Sequence, residues 1–335
     1  MAKITLGIDF GCFNLTIVAK DGFVIKQPNV LAIKKTKDGN SLVAIGEKAQ
    51  ELLGKTTDDT FVVYPVCGGE IVDLDYAKMM LREALSKQGI KAGVFTKLKV
   101  ITLVPSGIDE KEKEKYVELF KGVGAKEIIC LPKIFATALG ENINIGANSA
   151  KLIVDIGGGN VECSVINLNT LVCSSSLSIG GRTIDLTIID YIKQKYGVII
   201  GENTALMLKE QIFSLYESDT AKMDVNGVNY QDNTPVQITV TAHDIYDATH
   251  VFFDEVIRVI RATISSLSPE ISSDVVRNGI YISGGLAKIP GLDKYFKKRL
   301  KVNVFVSYET ENVTIKGLST LLTYKDILDN ILANL

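Results

Sequence analysis

Twice along this chain an apolar segment runs directly into Asp-x-Gly. Leu6-Gly7-Ile8-Asp9-Phe10-Gly11 is echoed in the middle of the chain by Ile153-Val154-Asp155-Ile156-Gly157-Gly158-Gly159. A second apolar run follows each copy, Leu15-Thr16-Ile17-Val18 in the first and Cys163-Ser164-Val165-Ile166 in the second. Two apolar runs separated by a glycine turn read as a β-hairpin. Glycine at such a turn lets successive backbone N–H groups converge on a phosphate, and a carboxylate just before it can hold a hydrated Mg2+ against that phosphate. A lone Asp-x-Gly is a common turn. Its repetition in matching context predicts two similar α/β domains that grip a nucleotide from both sides.

At 335 residues the chain is long enough for two domains, each with its own core. The net charge of -2, the dispersed basic residues and the absence of tryptophan argue against a nucleic-acid partner. Cys12, Cys67, Cys130, Cys163 and Cys173 form no CxxC pair and sit in apolar or glycine-rich surroundings, as reduced thiols of a cytoplasmic protein would. Met1-Ala2-Lys3-Ile4 enters a strand almost at once, so neither a signal peptide nor an N-terminal amphipathic anchor is expected. No run reaches the roughly 18 apolar residues of a membrane-spanning helix.

The pattern between the copies is that of a domain with an insertion. A charged turn at 34–40, a short strand at 42–45 and an amphipathic helix from Glu47 to Leu53 predict a small subdomain over 34–63. Helical spacing recurs from Asp75 to Gln88, and Leu98 to Val104 reads as a buried strand ending at Pro105. The charge run Asp109 to Lys115 reads as the solvated face of a helix carrying Tyr116, Val117 and Phe120, and a helix over 133–141 leads into the second copy. Beyond it lie helices from Asp185 to Tyr196 and from about Asn203 to Leu215. The polar segment Asp219 to Thr234 breaks the pattern before a strand at 236–240. A helix from His243 to about Leu267 and a strand at 279–282 ending in Ser283-Gly284-Gly285 complete the repeat. The expected division is 1–33, 64–145 and about 312–335 for the first large subdomain and 34–63 for the first small one. The second large subdomain takes 146–180 and 245–311, and the second small one 181–244.

Taken in order, these motifs resemble the superfamily of actin, the large heat-shock chaperone ATPases and sugar kinases, and within it the bacterial actin family MreB. Gly7 to Gly11 looks like its first phosphate loop, Asp155 to Gly159 like its second, and Ser283-Gly284-Gly285 like its adenosine loop. Ile179-Gly180-Gly181-Arg182, Ile200-Gly201-Glu202-Asn203-Thr204-Ala205 and Val104-Pro105-Ser106-Gly107 are similar to MreB in particular. The resemblance implies an actin-like fold of duplicated ribonuclease-H-like domains, each with a small inserted subdomain, and ATP or ADP in the cleft between them. It implies that Asp9 and Asp155 face Mg2+ through water. Phosphates would lie at Gly11, Cys12, Phe13 and Asn14 and at Gly157, Gly158, Gly159 and Asn160. The rest of the nucleotide would lie near Glu202, Lys209, Glu210, Gly284, Gly285 and Leu286. It also implies head-to-tail assembly into paired protofilaments, co-assembly with other MreB copies and a place at the inner face of the cell membrane. In MreB relatives a loop dips apolar side chains into that membrane, and the matching segment 89–97 offers Val94 and Phe95. Burying both would yield about 2 to 5 kcal/mol, marginal for one subunit but multiplied by avidity along a filament.

Three features depart from that pattern. Relatives begin the helix after the 128–131 strand with Glu-Glu-Pro, which supplies a glutamate that orients the attacking water; here Pro132 and Lys133 stand in those places. Gly68 replaces an aspartate in a Pro-x-x-Asp-Gly turn, and Val161 replaces the second threonine after the triple glycine. A positioned base is worth roughly 10² to 10⁴ in rate, so hydrolysis is expected to be weak, with nucleotide binding kept. Glu141 and Glu162 are the alternative water contacts. His243, Asp247 and His250 share one helix face, but a straight helix rarely converges three such ligands on one ion. Two other readings compete with the filament: a regulatory pseudo-ATPase that binds nucleotide without assembling, and a small-molecule kinase of the same fold.

Overall fold

A computed structural model of the chain describes residues 2–22, 24–37, 39–57, 59–90, 96–310 and 312–335. Each Asp-x-Gly segment lies at the end of a central strand in a five-stranded sheet. In the first sheet Ala2–Phe10 pairs antiparallel with Asn14–Ala19, which pairs with Val24–Pro28. On the other side of Ala2–Phe10 lie Thr96–Val104 and Ala125–Pro132, both parallel to it. The second sheet repeats the plan. Lys151–Ile156, Val161–Asn167 and Thr170–Leu177 form the antiparallel meander, and Ile280–Ser283 and Val304–Val306 add in parallel. The duplication read from two short motifs therefore extends over whole sheets.

Strand alternation decides which side chains support the fold and which reach the cleft. Leu6, Ile8 and Phe10 are buried in the core of the first domain, and Leu152, Val154 and Ile156 in that of the second. A third apolar cluster joins the two sheets, with Ile101 and Leu131 from one meeting Ile153 and Ile166 from the other. The C-terminal helices Val313–Thr323 and Lys325–Leu332 pack into this cluster through Leu318, Leu321 and Ile331. Some helix starts are fixed by side-chain caps. Asp73 accepts from Tyr76 N–H at 2.9 Å and Asp109 from Glu112 N–H at 2.8 Å, each worth about 1 kcal/mol. The charge run after Asp109 lies on the helix Glu110–Gly122, whose buried side is Tyr116, Leu119 and Phe120.

Each large sheet carries a smaller one. Leu31–Thr36, Gly39–Ile45 and Thr60–Val63 form the first, and Val198–Ile199, Lys222–Asn229 and Pro235–Thr241 the second. The strand Lys222–Asn229 falls inside the segment that composition marks as a break. Its Asp, Asn and Gly are poor strand formers, but pairing with neighbours on both sides overrides that preference. Gly227 is needed there: a Cβ would lie 2.5 Å from Val198 Cγ1. The helix expected to reach Leu215 stops at Gln211, and Phe213 and Leu215 are buried beyond its end, where Leu215 N–H bonds to the Pro290 carbonyl.

Candidate functional site

The two hairpins present their turns to each other. Phe10 pairs with Leu15 and Ile156 with Val161, leaving loops 11–14 and 157–160 of equal length. Each loop is closed in the same way, by Gly11 N–H to the Asn14 carbonyl at 3.1 Å and by Gly157 N–H to the Asn160 carbonyl at 2.9 Å. None of Gly11, Gly157, Gly158 and Gly159 has positive φ, so these turns need glycine for space and not for handedness. A Cβ on Gly158 would lie 2.5 Å from Phe13 Cβ, and one on Gly159 would lie 2.4 Å from both Cβ and Sγ of Cys12. Gly284 answers to both demands. Its φ is +94°, and a Cβ there would lie 2.4 Å from Asp155 Oδ1.

Around these turns opens a cleft of about 850 Å3, within the size range of small-molecule sites. Asp9, Gly11 to Asn14, Lys133, Asp155, Gly157 to Asn160, Lys209, Glu210 and Gly284 to Leu286 all line it. Gly68 and Glu202 do not; they line an adjoining cavity of about 340 Å3 on the other side of the two turns. Val161 lines neither. Its side chain is buried in the core of the second domain, one alternation step from Glu162, so a threonine there would turn its side chain toward the core in this backbone. Val94 and Phe95 lie outside the described residues.

In the cleft Lys133 is joined to both aspartates. Its Nζ lies 3.0 Å from Asp155 Oδ2 and 3.5 Å from Asp9 Oδ2. Backbone geometry dictates this meeting. Thr96–Val104 sits between Ala2–Phe10 and Ala125–Pro132, with Leu103 opposite both Asp9 and Leu131, so the helix that starts at Lys133 begins at the level of the Asp9 carboxylate. Burial opposes the ammonium charge, yet Asp155, Asp9 and Glu162 outweigh it and hold Lys133 well above the usual lysine range. Burial pushes Asp9 up despite Lys133, and Asp155 adds to the rise.

Glu162, opposite Asp155 in the hairpin, is the site group that the motifs brought in only as an alternative. It is 1% exposed and accepts from Ser106 N–H at 3.2 Å and from the Asn160 amide at 3.0 Å. Burial, with Asp155 next, pushes its pKa to about 7. Asp185 was not singled out by the sequence. It binds Lys209 at 2.7 Å, and Lys209 also donates to the Gly181 carbonyl at 3.0 Å. The charge of Lys209 is thus neutralised within its own domain. The two residues lie on separate helices 24 positions apart, and packing sets them side by side.

The expected Mg2+ meets a conflict. An ion facing both aspartates through its water shell would stand about 4 Å from their oxygens, and the Lys133 ammonium already lies against both of them. A dication about 4 Å from that ammonium would be repelled by about 8 kcal/mol at an effective dielectric of 20. Among the described residues no group of three or more His, Cys, Asp or Glu side chains could hold a metal ion. With Lys133 in this position, Asp9 and Asp155 do not fit the ion that the resemblance implies.

At the adjoining cavity Tyr64, the residue after the small-sheet strand Thr60–Val63, meets the second small subdomain. The Arg182 guanidinium lies 3.7 Å over the ring of Tyr64, its NH2 group is 4.0 Å from Glu202, and the Tyr64 hydroxyl is 3.5 Å from the same carboxylate. This contact lines the adjoining cavity, which shares Cys12, Phe13, Gly158 and Gly159 with the cleft.

The chain is similar to known proteins over nearly its whole length. The family model described as MreB/Mbl protein matches residues 3–330. The cell shape-determining protein MreB of Escherichia coli strain K12 is 30% identical over 316 residues, which cover 93% of this chain and 91% of the relative. The cell shape-determining protein Mbl of Bacillus subtilis strain 168 is 28% identical over 325 residues, covering 96% and 97%. Among solved structures, MreB 5 of Spiroplasma citri bound to AMPPNP superposes with a TM-score of 0.91 at 28% identity, covering 100% of both chains. The fold is the actin-like one, and the chain belongs to the MreB/Mbl family.

Proposed function

We propose that this chain is a nucleotide-dependent, filament-forming protein of cell shape that holds ATP or ADP between its two large domains and hydrolyses ATP slowly. The observation that carries the reading is the pair of matching glycine turns that meet at the 850 Å3 cleft and together line it. A relative similar over the whole chain is solved with AMPPNP, a nucleotide that such turns suit. Slow hydrolysis follows from Lys133. A cation bound to two carboxylates cannot take a proton from water, and a missing base leaves about 3 to 5 kcal/mol more barrier. Glu162 faces the cleft but is held by two protein donors, one on each side. Assembly into paired protofilaments, co-assembly with other MreB copies and a peripheral place at the membrane through 89–97 are carried over from the family.

Sedimentation with ATP, watched by electron microscopy and paired with a phosphate-release assay, tests the reading. Filaments with slow release support it. Bound nucleotide without polymer would favour the pseudo-ATPase, and phosphate transfer to an added acceptor would favour the kinase. Lys133→Glu should raise phosphate release; an unchanged rate would mean that the absent glutamate does not limit turnover.

A further inference from the structure

We infer that Lys133 is a covalently attached counter-cation that stands in for a divalent metal, so that nucleotide binding by this chain does not require Mg2+. The inference deepens the nucleotide reading and rests on it. Two carboxylates at the mouths of two phosphate-sized turns would repel a polyphosphate unless a cation separates them from it. Here that cation is supplied by the chain itself, 3.0 Å from Asp155 and 3.5 Å from Asp9. An ammonium has three protons. The two aspartates take two, and the third is left for an oxygen of the bound phosphate.

Packing fixes the backbone from which the lysine reaches the two aspartates. Its helix, Lys133–Gly140, continues directly from the sheet strand Ala125–Pro132, and Ile134, Phe135, Ala136 and Ala138 are all fully buried. The C-terminal helix Val313–Thr323 clasps it so tightly that a Cβ on Gly317 would lie 1.9 Å from the Ala136 carbonyl oxygen, and one on Gly140 would lie 2.0 Å from that of Val313. The backbone carrying Lys133 therefore has no room to shift. Glu162, buried beside the three groups, adds to the attraction on the ammonium when it is ionised.

The test is calorimetric titration of the full chain with AMPPNP and with ADP, in millimolar Mg2+ and again in excess EDTA, alongside Mn2+ titrations read by electron paramagnetic resonance. The wild-type affinity should change by less than about threefold on chelation, a difference below 1 kcal/mol, and the nucleotide complex should immobilise no Mn2+ at Asp9 and Asp155. Lys133→Met, which keeps the length of the stem and removes the charge, should lose at least about tenfold in EDTA and recover it with Mg2+. A wild-type affinity that collapses more than about tenfold in EDTA, with tightly held Mn2+ in its absence, overturns the inference. So does a Lys133→Met variant as indifferent to chelation as the wild type. If that variant does not fold, the wild-type comparison decides alone. Failure to bind nucleotide in either buffer overturns the nucleotide reading itself, and the inference falls with it.

Discussion

Replacing Lys133 by methionine should destabilise the nucleotide-free protein more than almost any other single change in the cleft. The ammonium sits 3.0 Å from one carboxylate and 3.5 Å from the other. At an effective dielectric of 20 those attractions are about 5.5 and about 4.7 kcal/mol. Desolvating the ammonium returns several kcal/mol of that. Methionine recovers the packing of the stem but leaves Asp9 and Asp155 facing each other without compensation. The expected cost is about 3 to 5 kcal/mol, the range for breaking a buried pair from one side. The cost should shrink as pH falls. Asp9 is already raised by burial, so with its cation gone it protonates readily and the repulsion disappears. Urea denaturation followed by circular dichroism at neutral and at mildly acidic pH reads both effects. A loss below about 1 kcal/mol at neutral pH, or a loss that does not change with pH, would refute the reasoning, because it would show that the ammonium is not what holds the two carboxylates together.

Three further outcomes follow from the same geometry. Gly159→Ala puts a methyl 2.4 Å from Cys12 and should cost about 1 to 3 kcal/mol of stability as well as nucleotide affinity; Cys12→Gly in the same chain should restore much of both, as read by thermal melts and titration. Arg182→Ala removes the stacking on Tyr64 and the contact with Glu202, and should speed nucleotide dissociation by about 3- to 10-fold in stopped flow, from about 1 kcal/mol of lost cation–π attraction. Glu162 has a folded pKa of about 7, above its ordinary 4.5. The folded state thus binds the proton more tightly, and stability present below about pH 4.5 is lost as pH rises through the window to about 7, up to about 3 kcal/mol. Glu162→Gln should flatten that part of the stability–pH profile, and an identical slope in both proteins would exclude Glu162 as its source.

The motifs located the cleft because its floor is made by local structure. A hairpin turn and the carboxylate before it lie within a few residues of each other, so Asp9 with Gly11 and Asp155 with Gly157 were readable as units. The same locality explains the helices opened by Asp73 and Asp109, whose caps bond three residues on. Reading failed where partners are distant or where alternation decides a face. Lys222–Asn229 has the composition of a loop and is a strand because neighbours pair with it on both sides. Val161 stands next to a cleft residue in sequence but on the opposite face of its strand.

Lys133 marks the boundary between the two kinds of information. The sequence alone determined that a duplicated α/β fold carries two glycine turns, each with an acidic residue, and that a cation opens the helix where the family resemblance implies a glutamate. It presented that lysine only as something missing from hydrolysis. The tertiary structure decided what the lysine does, because three strands in fixed register bring Asp9 level with Lys133 while the second domain delivers Asp155 from across the cleft. Turns are written by neighbouring residues. An ion pair between three separate segments is written by the packing of whole sheets, which sets distances that no local pattern encodes.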